Sequence, residues 1–273
     1  MAASAHLFDF QIRLPEAAPE KPRLVPSPPP AEPGERDDVR QLRAALKTQI
    51  AAKVTSATEL IRALERRRRD DVLATTLAPL DALLGGGLPR GKVVELAGRR
   101  SSGRYSIAMA TLAAATSAGE AAVLIDLGDH FDPQLAAANG VDLRRMLWIR
   151  PKNLKHAVMA AEMIAATGFQ CAVVDTGLHP IRGRRVPDAT WVRLARSAEA
   201  HGTAMLISTP YPLTGTTSEA LITANARANW SGGGATPRIL VSIDVRITLE
   251  KHRHQRPGGS ETLTFRAIES CLD

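Results

Sequence analysis

The chain has 273 residues, 44% of them hydrophobic, and a formal net charge of +7 at neutral pH. This length is sufficient for one α/β domain of about 200 residues with additional segments. The sequence has no secretory leader and no apolar run of about 18 residues or more, so we expect a cytoplasmic protein. Its two cysteines exclude a disulfide scaffold.

The first 38 residues are rich in proline and carry four basic and seven acidic side chains. They bury too little apolar surface to pack a core, which predicts a disordered arm over residues 1–38. Residues 7–11 are either a short docking motif or isolated apolar side chains in a flexible end. Residues 39–72 have helical apolar spacing and predict a helical segment that packs on the core or mediates association. The four arginines at 66–69 are either phosphate contacts or a solvated helix end.

Residues 98–106 have the frame of a phosphate-binding P-loop, G-x-x-x-x-G-K-[ST]. A predicted strand at 91–97 precedes the loop and an alanine-rich helix follows it, as this motif requires. Arg104 stands where the motif has the lysine that reaches the phosphates, and Tyr105 stands where it has the hydroxyl that holds Mg²⁺. The alternative is a glycine-rich loop with no nucleotide function.

Strands and helices alternate after the loop, which predicts an α/β fold with a mostly parallel sheet between helices. The predicted strands cover residues 121–126, 146–150, 170–175 and 204–208. The predicted helices cover a short segment ending near Asn139, residues 155–167 and residues 189–201. The strand at 170–175 ends in Asp175, which is typical of a Walker B aspartate directed at Mg²⁺, although strand ends also carry Asp merely to cap a turn. The candidate nucleotide-binding residues are Gly98, Ser101, Ser102, Gly103, Arg104, Tyr105, Ser106 and Asp175.

The core resembles the RecA family, and within it the ImuA-type accessory proteins of bacterial error-prone repair. The resemblance covers residues 73–208 well and the C-terminal strands loosely. It rests on the motifs at residues 88–91, 101–103, 125–126, 131–133 and 140–142. It implies a RecA-like P-loop core over residues 73–273, and as partners it implies DNA, an ImuB-like protein, an error-prone DnaE-type polymerase and RecA itself.

Several positions depart from the RecA pattern. Gly128 stands where the family has its catalytic glutamate, and Ser208 and Thr209 stand where it has an Asn-Gln pair that senses the γ-phosphate. With Arg104 and Tyr105 also altered, the resemblance implies lost hydrolysis, no catalytic residue and no required cofactor, with weak ATP binding as the alternative. The histidines and cysteines show no metal-ligand spacing, so we expect no metal site.

Two basic segments are candidate DNA contacts, and solvated charged loops are the alternative. The segment at 181–187 lies where the resemblance places the first DNA-binding loop of RecA. The second basic segment lies at the tip of a predicted C-terminal antiparallel hairpin with strands at 238–249 and 261–268. The region of the second RecA loop, residues 211–224, contains no arginine or lysine. The candidate DNA-binding residues are Arg182, Arg184, Arg185, Lys251, Arg253 and Arg256.

The sequence therefore predicts a non-catalytic RecA-fold adaptor in SOS-induced, error-prone translesion synthesis. It would bind DNA, single-stranded in preference, associate with the nucleoid and make no membrane contact. One alternative is a DNA-dependent RecA-like ATPase that uses Arg104 and Asp129. Another is a cell-division inhibitor of the SulA type, which shares the degenerate core.

Overall fold

The computed structural model of the protein describes residues 10–11, 71–177, 186–234 and 236–267. The predicted arm, apart from residues 10–11, lies outside the described residues, and so does the predicted helical segment up to residue 70. The same is true of Arg182, Arg184 and Arg185. In the part of the chain that is described, no helix is both long enough and apolar enough to cross a bilayer.

The described residues form eleven strands, five α-helices and one short 3₁₀ turn. The strands are β1 (Phe10–Gln11), β2 (Val72–Leu73), β3 (Leu88–Pro89), β4 (Val93–Ala97), β5 (Ala122–Asp126), β6 (Met146–Ile149), β7 (Cys171–Asp175), β8 (Ala204–Thr209), β9 (Ala220–Gly233), β10 (Thr236–His252) and β11 (Ser260–Ala267). The helices are α1 (Ala78–Leu84), α2 (Arg104–Ser117), α3 (Pro133–Ala138), α4 (Leu154–Ala165) and α5 (Asp188–His201), and the 3₁₀ turn is Leu143–Arg145.

Nine strands form one sheet in the order β1-β11-β10-β9-β4-β8-β7-β5-β6. The strands from β9 to β6 in this order run parallel, and the β9–β10, β10–β11 and β11–β1 pairs are antiparallel. The mixed, mostly parallel sheet confirms the predicted fold class, including its antiparallel C-terminal strands. Because β4, β5, β7 and β8 run in the same direction, their carboxyl ends meet at one edge of the sheet, where ligands bind in open α/β folds.

Alternating side chains of the central strands enter two separate cores. Leu124, Val173 and Leu206 pack on the side of α1 and α2. The neighbouring Val174 and Ile207 pack on the opposite side, against α4 and α5. Strands buried on both faces read as continuous apolar runs, which is why β5, β7 and β8 were predictable from their sequence.

The prediction missed strand β9. Residues 211–224 were interpreted as the region of the second RecA loop, and no strand was predicted over residues 225–233. Residues 220–233 instead form a strand of fourteen residues between β4 and β10. Only one face of β9 is buried, and mostly by small residues such as Ala220 and Ala224, so its period-two pattern is weak. The predicted hairpin of β10 and β11 is present, but β9 separates it from the parallel core.

The ends of β9 and β10 extend past the sheet as a two-stranded arm. Strand β11 pairs with β10 only from Ser242 to Thr248, and β4 pairs only with residues 220–223 of β9. The β-arm, defined here as residues 230–241, therefore pairs only with itself among the described residues. Strand β1 forms one edge of the sheet, where Phe10 pairs with Ala267 of β11.

Candidate nucleotide site at a degenerate P-loop

The loop after β4 has the backbone form of a phosphate cradle. The Gly98 amide donates to the Thr209 carbonyl at 3.0 Å, which ties the loop to the end of β8. A side chain at Gly98 would collide with Ser102 and with the Ala224 carbonyl. Gly103 has φ +85°, and a Cβ there would collide with Val245. The two glycines therefore allow the tight turn that ends at the amino terminus of α2.

Arg104, the first residue of α2, points into the protein and is 3% exposed. Its Nη1 donates to Ser208 Oγ at 2.6 Å, and its Nη2 donates to the Gly177 carbonyl at 2.9 Å. Nη1 also lies 3.6 Å from Asp175 Oδ1. The guanidinium thus bridges the carboxyl ends of β7 and β8.

Asp175 and Ser208 complete a buried polar cluster with this arginine. Ser208 Oγ donates to Asp175 Oδ1 at 2.8 Å, whereas Asp175 Oδ2 has no partner among the described residues. Burial raises the pKa of Asp175, opposed by the Ser208 hydrogen bond and the Arg104 charge. Burial lowers the pKa of Arg104 and Asp175 opposes that shift, but a guanidinium keeps its charge in proteins.

Tyr105 occupies the position of the Mg²⁺-binding hydroxyl. Its hydroxyl donates to the His130 carbonyl at 3.3 Å. Burial and three nearby carboxylates raise the pKa of Tyr105, so the phenol stays neutral at physiological pH. The ring lines both the P-loop cavity and a neighbouring groove between α2 and α3.

A cavity of about 420 Å³ lies over the loop. Arg99, Arg100 and His130 line it and are exposed, and Ile243 of β10 forms part of its wall. Within the described residues, Asp175 is the only acidic side chain among those that line it. The cavity is therefore suited to anions.

Two carboxylates lie at the end of β5 and in the segment that follows it, and both accept hydrogen bonds from other groups. Asp126 is buried, and its Oδ2 accepts the Phe131 amide at 3.0 Å. Asp129 is the residue that would replace the catalytic glutamate if the protein were an ATPase. Its carboxylate accepts two hydrogen bonds of 2.6 Å from Arg150. The Arg150 hydrogen bonds lower the pKa of Asp129. An ionised, paired carboxylate is a poor general base.

Three of the predicted DNA-binding residues lie in the described part of the chain, and two of them, Lys251 and Arg253, form hydrogen bonds with the loop before β9. Lys251 Nζ donates to the Gly215 carbonyl at 2.8 Å and to Ser218 Oγ at 3.0 Å. Arg253 Nη2 donates to the Thr216 carbonyl at 3.1 Å. Arg256 is exposed. Lys251 and Arg253 thus both contact the loop before β9, and their contact with DNA stays a prediction.

Glu95 is a structural residue that the sequence interpretation overlooked. It is 1% exposed in β4, and its carboxylate accepts from Thr209 Oγ1 and from the backbone amides of Leu213 and Thr214. It also accepts from the Thr214 hydroxyl. A charged residue within an otherwise apolar strand was the available signal, because such a residue needs partners when it is buried. Glu95 fixes the loop that follows β8.

The fold and the loop define a P-loop protein of the RecA type, in which the positions for metal and phosphate contact are altered. The model of the RecA N-terminal domain matches residues 40–180, slightly more than half of the chain. The chain belongs to the RecA N-terminal domain family. In the described part of the chain, no group of three or more His, Cys, Asp or Glu side chains is arranged to hold a metal ion.

Known proteins resemble the core rather than the whole chain. RecA of Synechocystis is 35% identical over 109 residues, which are 40% of this chain and 31% of that protein. RecA of Clostridium acetobutylicum is 40% identical over 108 residues, which are 39% of this chain and 31% of that protein. The matches thus span about a third of these relatives. The crystal structure of the RadB recombinase covers 70% of this chain and 94% of its own, with a TM-score of 0.52 and 19% identity, and supports the fold.

Proposed function

We propose that the protein is a non-hydrolysing, ImuA-type RecA-fold adaptor in SOS-induced translesion synthesis. It binds DNA, an ImuB-like protein and an error-prone DnaE-type polymerase. The observation that carries the loss of hydrolysis is the position of Arg104. Its guanidinium bonds to Ser208 and Gly177 beside Asp175, instead of extending towards the phosphate cradle.

These residues do not fit Mg²⁺-ATP as a functional P-loop does. A Walker B aspartate acts through a metal ion, but here a guanidinium already lies beside Asp175. Tyr105 presents a ring and a distant phenol where the metal requires a small hydroxyl. Gly128 has no side chain with which to orient a water molecule. We derive no hydrolytic step from this site.

The adaptor role rests on the family and on charge. The residues after position 38 carry a net charge of +10, and a basic surface favours partners such as nucleic acid. The RecA-type core is the part of the chain that its DNA-processing relatives share. The ImuB-like protein and the DnaE-type polymerase are the partners that the ImuA resemblance suggests.

Two measurements test this proposal. The purified chain should release no phosphate from Mg-ATP above the level of an Asp129→Ala variant, with or without single-stranded DNA. In a bacterium that carries the gene, its deletion should lower ultraviolet-induced mutation frequency and leave recombinational repair intact. DNA-stimulated phosphate release that is lost in Asp129→Ala would instead establish the ATPase alternative, because Asp129 is exposed and is the carboxylate which that alternative uses. A recombination defect with normal mutagenesis would contradict the translesion role.

A further inference from the structure

The β-arm carries an exposed aromatic side chain on a basic surface. Trp230 is 50% exposed, and the Arg238 guanidinium carbon lies 5.5 Å from the centroid of its ring. Between residues 221 and 243 the chain has two arginines and no acidic residue. An indole with a guanidinium over one face leaves the other face for a second planar group.

The same face of β9 and β10 leads back to the P-loop cavity. Ile243, which lines that cavity together with Arg99 and Arg100, pairs with Ala228. Trp230 follows Ala228 by two residues, so both side chains lie on one face, about 7 Å apart along the strand. The P-loop cavity, which is suited to anions, and the exposed ring of Trp230 therefore lie next to each other on one face of the sheet.

The opposite face of the β-arm provides an internal comparison. Ile239 pairs with Ser231 and is 63% exposed, while the adjacent Leu240 pairs with Trp230. Because neighbouring side chains alternate across a strand, Ile239 points away from Trp230 and from the P-loop cavity. Trp230 and Ile239 therefore belong to different surfaces of the β-arm.

We infer that Trp230 and Arg238, together with Arg99 and Arg100 at the rim of the P-loop, form a binding surface for single-stranded nucleic acid. A base stacks on the indole, and the two rim arginines contact backbone phosphates. Stacking on aromatic side chains tolerates any base sequence, and arginine contacts to phosphate carry none, so this surface binds strands without sequence preference. The inference rests on the proposed function, and it locates DNA contacts at residues other than the six predicted ones.

Fluorescence anisotropy of labelled oligo(dT) and of an abasic strand of equal length tests the inference with the full-length chain. Trp230→Ala should weaken oligo(dT) binding by about 5- to 150-fold, the range that corresponds to one stacked base. It should leave binding of the abasic strand unchanged. Trp230→Phe should restore most of the affinity, and Ile239→Ala is the matched control that should behave as wild type. The logarithm of the binding constant should fall linearly with the logarithm of the salt concentration. Replacement of both Arg99 and Arg100 by Ala should reduce the magnitude of this slope by up to about 1.4.

Any one of four results would overturn the inference. If Trp230→Ala and Ile239→Ala bind oligo(dT) equally well, the indole does not stack on a base. If Trp230→Ala leaves DNA affinity unchanged but abolishes self-association in sedimentation, the β-arm binds a second copy of the chain. If wild type binds DNA and only the predicted arginines matter, the proposed function stands without this surface. If wild type binds no strand at all, both the inference and the DNA-binding part of the proposed function fail.

Discussion

The Arg104 guanidinium lies 3.6 Å from the Asp175 carboxylate, and both side chains are less than 5% exposed. Opposite charges at this depth stabilise each other, because each alone would incur a large desolvation penalty. This pair joins the P-loop helix to the carboxyl end of β7. In this P-loop the protein's own cation lies beside the Walker B position.

Removal of one member of the pair should destabilise the fold. Arg104→Met leaves a buried carboxylate without its counter-charge, and we expect the free energy of unfolding to fall by about 3–5 kcal/mol. The double variant with Arg104→Met and Asp175→Asn should lose less free energy of unfolding than the sum of the losses in the two single variants. Urea denaturation would measure this difference. The exposed Lys92–Glu199 pair is the control, and Lys92→Ala should change stability by about 1 kcal/mol or less. Strict additivity would show that the two side chains do not interact.

The deficit of Arg104→Met should depend on pH. Burial already raises the pKa of Asp175, and loss of the guanidinium removes a group that opposes this rise. An acid whose folded-state pKa is raised contributes stability below its unfolded pKa, and this contribution is lost as pH rises through the folded value. The deficit relative to wild type should therefore be smaller near pH 4 than near pH 8. A deficit that grows towards acid pH would contradict the assignment.

Cys171 should be chemically inert in the folded protein. Burial in β7 raises the pKa of its thiol to about 12, so almost no thiolate exists at neutral pH. In a Cys271→Ser background, alkylation by iodoacetamide should be slow and should follow the rate of unfolding between pH 7 and 9. Rapid alkylation that rises tenfold per pH unit in the native protein would show an accessible thiol.

Glu95→Gln should loosen the loop between β8 and β9. The change weakens the carboxylate's hydrogen bonds to the Leu213 and Thr214 amides, and bonds to charged groups contribute about 1.5–3 kcal/mol each. We expect faster protease cleavage within residues 210–219 and lower stability. Glu250→Gln, at an exposed side chain that accepts from Thr223, should change neither property measurably. Equal cleavage rates in the two variants would exclude the role of Glu95.

Much of the parallel core was predictable because its strands are apolar runs between turn signals, and β7 ends in the aspartate that the P-loop pattern requires. The altered P-loop chemistry was equally visible in Arg104 and Tyr105. The inward direction of Arg104 was not, because it depends on Ser208 and the Gly177 carbonyl, which are distant in sequence. Strand β9 was missed since small and polar residues give little periodic signal.

The most direct measurement is binding of single-stranded DNA by fluorescence anisotropy over a range of salt concentrations, with and without Mg-ATP. Because Arg104 lies beside Asp175 at the metal position, we predict salt-sensitive binding with the same affinity in both conditions. An Arg104→Lys variant should behave likewise, since Tyr105 and Gly128 still lack the required chemistry. If the wild-type chain binds DNA only in the presence of Mg-ATP, nucleotide binding at this P-loop controls DNA binding, and the central claim is contradicted.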